Sequence, residues 1–333
     1  MAEWLYEAGI GENRAALVEG GRILEMLLER DDEIGPRVGA ILSARLTRKA
    51  DASGRGLAML DGGIPAQIVP VPTGLTEGAP LLVEVIRDSL REGSETKPLR
   101  VRAAPVGATP KEGPNLHTRI AATGLPVRML GPDSGLLEDH GWSETLEEAA
   151  SGIVTAPEIL LRIAVTPAMT LIDVDGTGSV ADVAIAGARA AGDAIRRFGI
   201  SGSIGVDLPT LAGKGDRQAA AAALDAVLPQ PFERTAVNGF GFIQIVRRRE
   251  RASLIETLQA DPIRAAALAL LRQAERAPGH GALDLHAAPA VIARIAARPD
   301  WIEALARRVG VTVGLQPDAG LAISAGHAGR AQN

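Results

Sequence analysis

The chain contains no cysteine. Disulfides and thiolate zinc sites are therefore excluded, so any metal must be held by oxygen or by histidine. The five histidines, His117, His140, His280, His286 and His327, follow no ligand spacing, and a surface or satisfied core role is expected of each. No apolar run approaches the ~20 residues needed to cross a bilayer. Glu3, Glu7 and Glu12 interrupt any apolar core at the amino terminus, so no signal peptide is read there and a cytoplasmic location is expected. Lysine is scarce, at Lys49, Lys97, Lys111 and Lys214. The excess of alanine and arginine is read as coding bias. A net charge of -5 argues against indiscriminate polyanion binding while allowing a local basic groove.

What is present is the composition of an ordinary globular protein, 46% hydrophobic and 23% charged over 333 residues, long enough for two or three small domains. Runs at 4–6, 14–18 and 23–28 read as strands, with Gly20-Gly21 a hairpin turn, and residues 1–34 form the first segment. Residues 35–104 carry short apolar runs at 38–46, 56–60, 66–71 and 81–86, which suggest a small barrel with an OB-fold among the options. Residues 105–157 show two short helical patterns, 115–122 and 143–150, in a linker-like segment. The most regular part is 158–250, within an α/β subdomain taken as 158–255, with strands expected at 159–165, 170–174, 203–206, 232–237 and 242–246 and a helix near 218–227. In residues 256–326, helices at 262–276, 290–297 and 300–308 alternate with short strands near 310–315 and 320–324, and 327–333 is expected to fray. The fold class is thus multi-domain α/β.

Asp173-Val174-Asp175-Gly176-Thr177-Gly178 follows an apolar run, and Asp207 ends the next one. Alternation turns Asp173 and Asp175 to one side of a strand and Val174 to the other. Residues 179–198 read as an alanine-rich helix ended by Gly199. A strand, helix, strand unit of this kind makes the two strands parallel, with their carboxyl ends at one edge, where open sheets bind ligands. Three carboxylates meeting there need a hard cation or protons, and Mg²⁺ suits a few carboxylates plus waters. The competing structural reading has Asp175 and Asp207 capping the helices that follow.

With Trp4-Leu5, Glu12-Asn13-Arg14-Ala15, Leu171-Ile172-Asp173-Val174-Asp175, Val206-Asp207 and Gly241-Phe242-Ile243-Gln244-Ile245-Val246-Arg247-Arg248-Arg249 in this order, the chain resembles the RNase E/G family of endoribonucleases over residues 3–255. The resemblance implies a split RNase H-like segment, an inserted OB-fold RNA-binding domain, a DNase I-like catalytic subdomain and a small domain after it. It implies Mg²⁺ held by Asp173 and Asp207 for hydrolysis of single-stranded RNA in RNA processing and decay, including rRNA processing and mRNA decay. Asp175 stands where the family usually has asparagine, as a third ligand or a group behind the ligands. Aromatic positions that stack bases fall on Met59 and Ile68. Lys97 lies where a lysine contacts RNA, and Arg249 where an arginine is kept. The 5′-monophosphate pocket has no recognisable counterpart in residues 105–157, and the cysteines of the zinc link are missing, so a homo-oligomer would form without it.

Arg247 and Arg249 alternate to one face and would hold RNA phosphates beside the metal, where Phe240 and Phe242 would stack a base. A basic run at a strand end is otherwise a solvated edge that discourages pairing. Two rival functions are an RNA-binding protein of the same fold that cleaves weakly, and a haloacid-dehalogenase-like phosphatase with Asp173 as nucleophile and Asp175 as acid/base.

Overall fold

The computed structural model describes residues 1–333 apart from 34, 93, 94, 280 and 331–333, so His280 and the end of the expected tail lie outside the described residues. Contacts divide the chain into two compact units. A terminal unit comprises Met1–Asp32, Ile120–Ser151 and Glu256–Asn333, and a central unit comprises Glu33–Arg119 and Gly152–Ile255.

The chain begins with an antiparallel meander of β1 (Glu3–Ala8), β2 (Glu12–Glu19) and β3 (Arg22–Arg30). Gly20 and Gly21 close the second hairpin at φ 57° and 80°, the left-handed pair that a tight turn of this hand needs. Next come β4 (Ile41–Arg48), β5 (Gly56–Leu60), β6 (Ile64–Ile68), β7 (Pro80–Arg87), the ribbon of β8 (Leu90–Glu92) and β9 (Glu95–Lys97), and β10 (Leu99–Ala103). Five of these close a barrel in the order β10-β6-β5-β4-β7. Alternate residues such as Leu46, Leu60, Ile68, Val83 and Val101 fill it. The closing strand β10 hides in the sequence because arginines, Arg100 and Arg102, occupy its outward positions.

The segment read as a linker supplies structure to the chain: α1 (Leu116–Ala121), β11 (Val127–Leu130), α2 (Leu136–Asp139) and α3 (Trp142–Ser151). β11 pairs parallel to β1 and completes the sheet β11-β1-β2-β3.

Then follow β12 (Ile153–Ala156), β13 (Ile159–Val165), β14 (Thr170–Gly176), α4 (Val180–Arg197), β15 (Gly202–Asp207), α5 (Lys214–Asp225), β16 (Glu233–Arg234) and β17 (Phe242–Arg247). They make a six-stranded sheet ordered β12-β13-β14-β15-β17-β16. β14 and β15 are parallel neighbours joined by α4, as the spacing predicts. The strand expected at 232–237 shrinks to two residues. Ser179 caps α4, Arg196 and Arg197 complement its last turn, and Gly199 ends it at φ 63°.

The chain closes with α6 (Leu254–Ala260), α7 (Pro262–Glu275), β18 (Leu283–Ala287), α8 (Pro289–Ala296), α9 (Pro299–Val309), β19 (Val313–Pro317) and β20 (His327–Arg330). Leu268, Leu271, Leu285, Val291, Ile295 and Trp301 form the core here, joined by Ile10. Two corrections arise. Residues 320–324 form no strand, and His327–Arg330, expected to fray, pair antiparallel with β18. No described helix is long and apolar enough to cross a membrane.

Candidate metal and nucleic-acid site

α4 packs on β13 and β14, and α5 packs on α4. Strict alternation on β14 buries Thr170, Ile172 and Val174 and exposes Leu171, Asp173 and Asp175 on the opposite face. On β15 the buried run Ile204 to Val206 ends in exposed Asp207. Register then draws four side chains into a row across four strands: Arg162 opposite Asp173, Asp173 opposite Asp207, and Asp207 opposite Phe242. Neighbouring strands lie about 4.8 Å apart, so adjacent members of the row can share one small ligand.

Neither acid serves as a helix cap. Ser179 Oγ accepts the Asp182 amide at 3.2 Å at the start of α4, and Gly213 stands at the cap of α5. The Asp207 side chain has no hydrogen bond or ion pair among the described residues. Asp173 is 56% exposed and its only ion pair among the described residues is with Arg162, whose Nη1 lies 3.5 Å from its Oδ2.

The sequence signal for Arg162 is slight: it is the one charged residue in the run from Ile159 to Val165. Its Nη1 also contacts Asp175 Oδ2. The carboxylates, Asp175 foremost through its hydrogen bond, raise the guanidinium's pKa, so it is a permanent cation. Asp175 is thereby engaged by Arg162. Among the described residues no three histidine, aspartate or glutamate side chains group to hold a metal ion. The three-carboxylate cluster expected from the sequence is instead a facing pair, Asp173 and Asp207, with Arg162 in contact with both Asp173 and Asp175. Two exposed carboxylates on adjacent strands still fit Mg²⁺, which takes one or two carboxylates and keeps several waters.

Phe242 completes the row. Its ring lies over Gly205, where a Cβ would stand 2.5 Å from the ring and 3.0 Å from Leu171, so only glycine leaves it this seat. Phe240 is 81% exposed at the tip of the preceding loop. That loop is set by Asn238 Oδ1, which accepts the amides of Phe240 at 2.9 Å and Phe242 at 3.1 Å. Gly241, at φ 92°, passes so close to the Leu208 carbonyl that a Cβ would be 2.2 Å from it.

The arginine run is not beside the acids. Alternation sends Arg247 to the helix-covered face, where Nη1 donates to the carbonyls of Ile200 at 2.8 Å and Ile195 at 3.5 Å, closing the end of α4. Arg247 pairs with Gly202 while Phe242 pairs with Asp207, so the run begins about 16 Å from the acids at ~3.3 Å per residue. Arg249 lies at that same far end, its Cδ 3.2 Å from where a Gly202 Cβ would be. Lys97 is exposed on β9, in the ribbon outside the row. On the barrel Met59 faces outward at 39% exposure, but Ile68 is fully buried and cannot meet a base. The outward residues of β6 are Pro65 and Gln67, and Gln67 accepts from Arg100 Nε at 3.2 Å.

No family model matches the chain, and no curated protein matches it.

Proposed function

We propose that this chain is a Mg²⁺-dependent endoribonuclease of RNase E/G type that cleaves single-stranded RNA, with Asp173 and Asp207 as the metal-holding pair. The observation that carries this reading is the row Arg162, Asp173, Asp207, Phe242 on the sheet face opposite α4. It brings together a carboxylate pair for a hard cation, a fixed positive charge and an aromatic surface for a base. Mg²⁺ held there supplies Lewis-acid stabilisation of charge developing on the phosphoryl oxygens. Phe242 and exposed Phe240 stack bases of the strand, a sequence-tolerant contact because every base has a π-face.

In this reading the closed barrel is the OB-fold domain, β12 to β17 with their helices are the catalytic subdomain, the sheet β11-β1-β2-β3 belongs to the RNase H-like segment, and α7 to β20 form the small domain. The outward barrel positions on β5 are Leu57 and Met59, both without an aromatic ring, so the barrel holds a single strand weakly. The pairing of Asp175 with Arg162 favours the nuclease over the Asp-x-Asp phosphatase, which needs Asp175 poised as an acid beside Asp173.

The test is incubation of an end-labelled single-stranded RNA with and without Mg²⁺, beside its duplex form and a small phosphate monoester. Internal cleavage of the single strand, dependent on Mg²⁺, is expected. Hydrolysis of the monoester alone would replace this reading with the phosphatase. Binding with no cleavage would replace it with the RNA-binding protein.

A further inference from the structure

We infer that Arg162 is a phosphate ligand of the substrate, and that Asp175 holds its guanidinium beside the Asp173 and Asp207 pair rather than holding metal. The inference rests on the row being an RNA site.

Three observations carry it. Both carboxylate contacts of Arg162 are made through Nη1. Nε and Nη2 make none among the described residues, so the planar edge that recognises phosphate with two parallel N–H groups remains open. The side chain is 52% exposed, and its partner Asp175 is 57% exposed. An ion pair this open, screened by solvent, contributes little to stability, which leaves the fold little reason to keep it. Finally, three carboxylates on one sheet face repel a polyanion. A phosphate drawn toward Asp173 and Asp207 meets Arg162 as the cation of that row, whereas Arg247 and Arg249 lie at the other end of the sheet. Arginine is suited to this place because it cannot lose its proton there.

The experiment measures binding of a fluorescein-labelled 2′-O-methyl oligonucleotide to the full chain in excess chelator, across a salt series, for the wild type, Arg162→Gln and Arg162→Lys. Removing one phosphate contact from a single-strand complex lowers the slope of log affinity against log salt by about 0.7. The ratio of wild-type to Arg162→Gln affinity should therefore grow about fivefold for each tenfold drop in salt. Arg162→Lys should keep the wild-type slope. A purely structural role would lower the active fraction without changing the slope. An unchanged slope in Arg162→Gln overturns the inference. A wild type that binds no oligonucleotide overturns it together with the RNA reading. If the slope changes as expected but the wild type never cleaves RNA with Mg²⁺, the nuclease reading falls and Arg162 as a phosphate ligand stands.

Discussion

Substituting Gly187 with alanine should loosen the seat of the strand that bears Asp173. A Cβ on Gly187 would stand 2.2 Å from Val174 Cγ1, where α4 presses on β14. Carbon atoms in contact sit about 3.5–4.0 Å apart, so helix and strand must separate by ~1.5 Å or Val174 must change rotamer. Val174 is buried and β-branched, with a stiff χ1, so it does not yield cheaply. Overpacking of this kind costs about 1–3 kcal/mol, and the better helix propensity of alanine returns up to about 1 kcal/mol. A net loss of roughly 1 kcal/mol is expected. Val174→Ala alone removes two buried methyl groups, about 1.6 kcal/mol at ~0.8 each. In the double variant the missing methyl makes room for the new one, so the combined loss should fall short of the sum by about 1–2 kcal/mol. Urea unfolding of the four proteins measures this cycle. RNA cleavage should follow it, slowed in Gly187→Ala by displacement of Asp173 from Asp207 and largely restored in the double variant. A Gly187→Ala protein more stable than wild type, or strictly additive losses, would refute the close approach.

Arg247→Ala should destabilise the chain by about 1–2 kcal/mol, through loss of charged hydrogen bonds to the Ile195 and Ile200 carbonyls, with RNA affinity unchanged; weaker RNA binding at equal stability would return Arg247 to the site. Gly205→Val should unseat the Phe242 ring and weaken oligonucleotide binding by about 1–3 kcal/mol, the worth of one stacked base. Fluorescence anisotropy reads this, and wild-type affinity would mean that Phe242 holds no base. Glu275, buried beside Arg308 and Arg14, has its carboxyl pKa raised chiefly by burial. The folded state thus binds its proton more tightly than the unfolded chain, so its contribution is full below the ordinary glutamate range and is lost as pH rises through the folded value. The stability of the wild type relative to Glu275→Gln should decline from about pH 4.5 upward. A difference constant with pH would show that Glu275 titrates normally.

The parts of the fold read correctly in the sequence are those where local signals agree with the packing. The Gly20-Gly21 turn, the Gly199 stop and the parallel β14 and β15 each follow from a glycine position or a strict period. The strands missed carry a different signature. β10 alternates leucine and valine with arginine, and β18, Leu-Asp-Leu-His-Ala, buries its apolar residues only once β19 and β20 flank it. Within the site, the facing of Asp173 and Asp207 was legible because alternation and the crossover fix it. The far position of the arginine run was not, since it requires knowing that β17 runs antiparallel to β15. For the same reason Arg162 was invisible: its place beside the acids depends on β13 folding back onto β14. Ile68 faces inward because strand alternation gives the outward positions of β6 to Pro65 and Gln67, a register that no local signal in the sequence fixes.

The most direct test of the central claim is the rate of Mg²⁺-dependent cleavage of one labelled single-stranded RNA by Asp207→Asn. The Asp207 side chain is exposed and has no partner among the described residues, so the substitution leaves packing and ion pairs intact. On the proposed assignment it would remove one of the two charged donors to the cation. Cleavage should fall at least about 100-fold, ~2.7 kcal/mol of transition-state stabilisation, while unfolding is unchanged and RNA binds in chelator at least as tightly as to wild type. Cleavage by Asp207→Asn at the wild-type rate would contradict the assignment of this sheet face as a metal-dependent nuclease site.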